Sequence, residues 1–317
     1  MIHQLEAIFC HGSENFFYLI NSLEKEPGWP EEEYTVFVKN LIKKQQPFLR
    51  IDGVLFLLPG QNADARMRIF NKDGSEADMC GNGFRCLAKK FAQISGKTSF
   101  SIETRKHIYK GFVEEEIYPD IDAYSVLLKP ITFDYNGKVY RRETIPDLSE
   151  HLLFSSINTG NPQLIAKIDA FDEIELFKLG KKINNNCTVF PQGNNISFYR
   201  VIGKQKLFVS TYERGVGLTN SCGTAMAGVS LVAAQLGEVK FNQWVSIHNK
   251  GGMVKCLPQN INNELSVKLL GNATFLNKEI IVYDTKWHHV DQIKNVESYP
   301  QEGVRYYNFK DAVKYIQ

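Results

Sequence analysis

The sequence predicts an α+β protein built as two similar halves, and three observations carry that prediction. Short runs rich in β-branched and aromatic residues outnumber helical patterns along the 317 residues. Each half holds a cysteine that opens a small-residue turn ahead of a helical pattern: Met79-Cys80-Gly81-Asn82-Gly83-Phe84-Arg85 in one, Ser221-Cys222-Gly223-Thr224-Ala225-Met226-Ala227 in the other. A polar residue stands nine positions before each cysteine, Asn71 in the first half and Glu213 in the second.

Examples of strand runs, in order, are 54–60, 65–71, 125–130, 152–158, 195–201, 206–212 and 280–284. Most are bounded by Gly, Pro, Asn or Asp, which punctuate strands. Helical spacing is found at 31–44, where Tyr34, Phe37, Val38 and Leu41 share a face after Pro30. It recurs at 83–93, with Phe84, Leu87, Ala88 and Phe91 on one face, and at 168–183 and 224–236. The acidic, Pro-containing stretch EEEIYPDIDA marks a boundary, giving an N-terminal half 1–122 and a C-terminal half 123–274. The aromatic-rich tail 285–317 is expected to pack onto the body as an amphipathic segment.

Composition narrows the class of function. Hydrophobic content is 43%, charged content 23% and net charge +2, the profile of an ordinary globular chain. No basic stripe with interleaved aromatics is present, so a nucleic-acid partner is not expected. The first residues lack a basic start and a long apolar run, and no apolar stretch reaches the roughly 18 residues of a membrane span. A cytoplasmic protein without a membrane partner is expected. Six cysteines, none at CxxC spacing, suit a reducing compartment and offer no zinc motif. No metal and no cofactor are expected. A homodimer is the oligomeric form left open.

The chemistry is centred on Cys80 and Cys222. A helix N-terminus presents free backbone N–H groups and a partial positive charge, which favour a carboxylate or a thiolate. Gly81, Gly83 and Gly223 allow a ligand to approach closely, and Asn82 and Thr224 add side-chain donors. The economical picture is an amino-acid carboxylate held by two helix N-termini, with a thiol on each side of the α-carbon. Forming a thiolate at neutral pH costs about 2 kcal/mol, and a helix terminus returns at most about 1–2 kcal/mol of it. Removing an α-proton is far harder, so the larger task is stabilising the carbanion-like transition state with fixed donors. Glu213 is the local candidate to exchange a proton with a thiol. A redox dithiol is the rival from another class, but a simple disulfide does not need a glycine turn at each sulfur.

At these residues the chain resembles the diaminopimelate epimerase family, pyridoxal-independent amino-acid isomerases. The resemblance is carried by HGSEN (11–15), FNKDGSEADMCGNGFRC (70–86), TGNP (159–162), FPQGNNISF (190–198) and ERGVGLTNSCGTA (213–225). It implies two pseudo-symmetric lobes, each a mainly antiparallel sheet wrapped around a central helix, with the active site in the cleft between them. It implies that the strand near 280–283 returns to the first lobe, so that 275–317 completes it. It further implies Cys80 and Cys222 as the acid/base thiols, assisted by Glu213. Asn15, Asn71, Asn161, Asn195 and Arg214 would hold the distal end of a small-molecule diamino-acid substrate. Gly81, Asn82, Gly223 and Thr224 would hold the reacting carboxylate. Among the departures from the family pattern, the His that usually follows GNP is Gln163 here, and an amide accepts no proton. That departure keeps a second reading in view, an epimerase or racemase of another amino acid on the same fold.

Overall fold

The computed structural model describes residues 1–130, 134–135, 138–185 and 187–314, with 134–135 as backbone. The chain divides into two compact units, Met1–Val126 with Gly271–Phe309, and Leu127–Leu270 with Lys310–Gln317. Among the described residues five helices form: α1 (Glu31–Gln45), α2 (Gly81–Ser95), α3 (Glu173–Asn184), α4 (Gly223–Gln235) and α5 (Pro300–Ala312).

The first unit opens with an antiparallel hairpin, Ile2–Gly12 against Asn15–Asn21. Helix α1 then crosses over to Gly53–Pro59, which lies parallel to Asn15–Asn21. Ala65–Asn71 returns antiparallel, and the short strand Glu76–Ala77 turns back on it. Helix α2 follows. It leads to Ser99–Glu103, parallel to Ala65–Asn71, and then to the antiparallel Ile108–Tyr118.

The second unit repeats this path element for element. Its hairpin is Ser149–Asn158 against Pro162–Lys167. Helix α3 crosses over to Asn195–Gly203, parallel to Pro162–Lys167. Lys206–Glu213 returns antiparallel and Gly217–Thr219 turns back on it. Helix α4 then leads to Val245–Asn249, parallel to Lys206–Glu213, and to the antiparallel Gly252–Ile261. The equal spacing in the sequence now has a cause. Asn71 and Glu213 each end the equivalent strand, and a short return strand fills the gap to each cysteine.

Each sheet curves around one helix. Helix α2 packs against the strands Ile2–Gly12, Asn15–Asn21, Gly53–Pro59, Ala65–Asn71 and Ile108–Tyr118. Helix α4 packs against Ser149–Asn158, Pro162–Lys167, Asn195–Gly203, Lys206–Glu213 and Gly252–Ile261. It carries no charged side chain, and its residues from Gly223 to Ala234 are all buried, as a helix enclosed on every side must be. The other two crossover helices cover the outer faces. Tyr34, Phe37, Val38 and Leu41 of α1 join Phe56, Phe70 and Tyr283 in one core, and Leu176, Leu179 and Ile183 of α3 join Phe154 and Phe198 in another.

Two segments differ from the sequence reading. Helix α3 starts at Glu173, not at 168, because the Asp172 side chain caps it by accepting from the Ile174 and Glu175 N–H groups at 2.8 and 2.9 Å. Ile168, read as the helix start, is instead a core residue whose N–H bonds the Tyr199 carbonyl. The tail is more than an amphipathic appendage. Thr274–Asp284 lies antiparallel beside Ile2–Gly12, and His289–Ser298 adds a further antiparallel strand. Helix α5 then buries Tyr306 and Phe309.

Leu231 of α4 is fully buried. Leu231→Ala is expected to destabilise the protein by about 2–5 kcal/mol, the range for a core leucine that leaves a cavity. Urea unfolding of variant and parent would show the loss as a lower midpoint; an unchanged midpoint would contradict the packing described.

Candidate active site

In the first unit Cys80 is the N-cap of α2, with extended backbone at φ −142° and ψ 114°. Its sulfur accepts the Gly83 N–H at 3.4 Å, so it occupies the place where a capping oxygen usually sits. The thiol in turn donates to Asn15 Oδ1 at 3.6 Å, and Asn82 Nδ2 donates to the same oxygen at 3.4 Å. Cys80, Asn82 and Asn15 therefore form one cluster at the start of α2.

Asn15 owes its place to a tight turn. Ser13 and Glu14 both have positive φ, 52° and 60°, the conformation a two-residue hairpin turn demands. The strain of two non-glycine residues there is held by specific bonds. Ser13 N–H donates to Asn272 Oδ1 at 3.0 Å, and Glu14 N–H donates to His11 Nδ1 at 3.4 Å. The buried His11 ring stands edge-on to Tyr306 of α5, with centroids 4.4 Å apart.

Arg85 joins these parts, a role that no local pattern around it announces. It is completely buried one turn into α2. Its guanidinium donates to the carbonyls of Asn272 (3.0 Å) and Gly81 (3.3 Å), to Ser13 Oγ (3.2 Å) and to Asn82 Oδ1 (3.0 Å). Only glycine fits beside it at position 271, where a Cβ would lie 2.8 Å from Arg85 Cζ. The Asn71 side chain donates to Ser75 Oγ at 3.1 Å across its own turn.

In the second unit Cys222 is the N-cap of α4, again with extended backbone, at φ −119° and ψ 105°. The residue is buried, and Thr224 Oγ1 lies 3.7 Å from the sulfur. Thr224 is itself a hub. Asn161 Nδ2 and Gln163 Nε2 point to its hydroxyl oxygen from 3.4 and 3.3 Å, and its carbonyl accepts the Thr159 hydroxyl at 2.7 Å. Asn195 Oδ1 accepts the Arg214 N–H at 2.8 Å, and the Arg214 guanidinium is steadied by the Gln192 carbonyl at 2.9 Å. Of the residues read from the sequence, Cys222, Gly223, Thr224, Asn161 and Glu213 meet at this helix start, and Asn195 and Arg214 form a neighbouring pair.

Burial pushes the Cys222 thiol well above its ordinary value, and the negative charge of Glu213 pushes it further in the same direction. Cys222 therefore rests as a protonated thiol at neutral pH. All six cysteines are free thiols. Among the described residues no group of three or more His, Cys, Asp or Glu side chains could hold a metal ion, and no helix is long and apolar enough to cross a membrane.

The fold, a sheet wrapped around a helix, occurs twice in the chain, with a cysteine at each helix start. Solved structures share it. A phenazine biosynthesis protein of the PhzF family from Bacillus anthracis superposes with a TM-score of 0.65 at 15% identity, covering 88% of this chain and 99% of that one. A hydroxyproline epimerase from Agrobacterium vitis superposes with a TM-score of 0.62 at 13% identity, covering 89% and 92%.

Sequence relatives specify the family. The diaminopimelate epimerase family model matches residues 8–120 and 155–276, which include both cysteine turns. A diaminopimelate epimerase of Clostridium acetobutylicum is 35% identical over 315 residues, spanning 97% of this chain and 94% of its own. One from Enterococcus faecalis is 34% identical over 277 residues, spanning 83% and 85%. The chain belongs to the diaminopimelate epimerase family, and it is an epimerase.

The Glu213 charge disfavours a neighbouring thiolate, so Glu213→Gln is expected to lower the Cys222 pKa toward its usual value. At pH 8 iodoacetamide should then label Cys222 severalfold faster than in the parent, and in both proteins labelling should quicken as pH rises. Peptide mass spectrometry reads the rate directly. Slower labelling in the variant would refute the electrostatic assignment.

Proposed function

We propose that this chain interconverts LL- and meso-diaminopimelate by moving a proton between two cysteines, without a cofactor, in the synthesis of lysine and of peptidoglycan precursors in the cytoplasm. The observation that carries the reading is the repeated placement of a cysteine at the N-cap of a helix enclosed by its sheet.

In this reading N–H groups at the start of α2 and α4 hold the α-carboxylate, with the Gly81, Asn82, Gly223 and Thr224 segments as its cradle. A thiolate on one face of the α-carbon takes the proton. A thiol on the other face supplies one, which inverts the centre. Cys222 rests protonated, so it can serve as the acid when Cys80 acts as the base. Glu213 beside Cys222 relays its proton to and from solvent, so that the sulfur can serve as base in the reverse direction. Asn15, Asn71, Asn161, Asn195 and Arg214 read the far end of the substrate. The polar Asn set suits the distal ammonium, and Arg214 suits the distal carboxylate. Two charged ends, one of which reacts, account for selectivity toward a double-headed amino acid.

A second reading is favoured by Gln163, which is buried beside Thr224 and cannot exchange a proton. It keeps the fold and the thiols and changes the amino acid. Deuterium exchange at the α-carbon over a panel of amino acids separates the two: exchange confined to diaminopimelate supports the first reading, and faster exchange with another amino acid supports the second.

Cys80→Ala and Cys222→Ala are each expected to lower kcat for epimerisation by at least about 10²–10⁴-fold, the scale of losing one positioned acid or base. Chiral chromatography of the product measures it. Near-normal activity in either variant would falsify the two-thiol mechanism.

A further inference from the structure

Gln163 lies on the strand Pro162–Lys167, opposite Asn195 in the parallel pairing, and is 1% exposed. Its amide nitrogen donates to Thr224 Oγ1 at 3.3 Å, while its Oε1 is buried without a hydrogen-bond partner. Asn161 Nδ2 approaches the same hydroxyl oxygen from 3.4 Å. A threonine hydroxyl has two lone pairs to accept with and one hydrogen to give. When two amide N–H groups occupy the lone pairs, the hydrogen is left one partner, the Cys222 sulfur at 3.7 Å.

We propose that Gln163 is a positioning residue that fixes the Thr224 hydroxyl as a hydrogen-bond donor to the Cys222 sulfur and thereby favours its thiolate. Gln163 touches no reacting atom and acts through Thr224. The O–H···S⁻ bond is charge-assisted, so it stabilises the thiolate more than the thiol. It opposes the two effects that hold Cys222 protonated, burial and the charge of Glu213 on the strand Lys206–Glu213. An amide does not titrate in the working range, so the donor stays aimed at every pH at which the enzyme operates. The bare Oε1 supports the same assignment. It is a buried acceptor with nothing to accept, so the contribution of this side chain lies in its nitrogen.

The inference rests on the reading of Cys222 as a proton-transfer thiol, but its thiolate content can be measured without turnover. The experiment compares iodoacetamide labelling at pH 8 in the full chain for the parent, Gln163→Met, Thr224→Val and the double variant. Peptide mass spectrometry follows Cys222, with Cys80 as internal control. Gln163→Met is expected to slow Cys222 labelling about tenfold, the scale of one hydrogen bond to a charged group, and to leave Cys80 labelling unchanged. Its melting temperature should not fall, because the variant also removes the unsatisfied acceptor. In the double variant labelling should be no slower than in Thr224→Val alone. Gln163→Asn, which withdraws the donor but stays polar, should reproduce the slowing if the methionine variant does not fold.

Unchanged or faster labelling of Cys222 would overturn the proposal. So would an equal slowing with and without the Thr224 hydroxyl, or an equal slowing at Cys80. A chain that failed to epimerise diaminopimelate yet showed the expected pattern would retire the proposed substrate and leave Gln163 in this role.

Discussion

The start of a buried helix is the constraint on which this structure turns. The first N–H groups of a helix have no partner inside it, and within an enclosing sheet water is scarce. Something must satisfy them. At α2 the Cys80 sulfur takes one such group, from Gly83. A carboxylate is the natural occupant, since it brings negative charge and several lone pairs. In the proposed reading, burial of the helix and affinity for an amino acid are two aspects of one arrangement, repeated in both units.

The two copies have diverged in how they surround the sulfur. At Cys80 the neighbours are amides, Asn15 and Asn82, held by the buried guanidinium of Arg85. At Cys222 they are a hydroxyl, two amides and a carboxylate: Thr224, Asn161, Gln163 and Glu213. The equivalent strand ends carry Asn71 in one unit and Glu213 in the other. Asn71 closes its own turn through Ser75, whereas Glu213 adds to burial in holding a cysteine protonated. One scaffold therefore presents a thiol bonded to an amide oxygen and a thiol under a negative charge. An acid and a base need that kind of difference to work together at one pH.

Much of the architecture was legible because it is local. The strand runs and the helical faces of α1, α2 and α4 follow from side-chain periodicity, and the two cysteine turns announce helix starts through their glycines. Helix α3 was read too long because Ile168, a core residue of the loop, sits in phase with its apolar face. The tail strand His289–Ser298 was missed because its residues are largely exposed and show no clean alternation. At the site, the cysteines and their immediate neighbours were readable, and the supports were not. Arg85 meets Asn272 across 187 positions of sequence and Ser13 across 72. His11 leans on Tyr306 of the tail. A single sequence carries no local signal for partners so far apart. The paired contacts on Thr224 have the same character, since Gln163 and Asn161 arrive from another strand.

The central claim is that two different sulfurs handle the leaving and the arriving proton. The most direct measurement is the location of label during the early turnover of LL-diaminopimelate in heavy water. Two opposed groups place solvent deuterium at the inverted α-carbon of the meso product, while the substrate recovered at low conversion stays unlabelled. Deuterium entering recovered substrate as fast as product, or product that retains the original proton, would mean that one group serves both faces and would contradict the account.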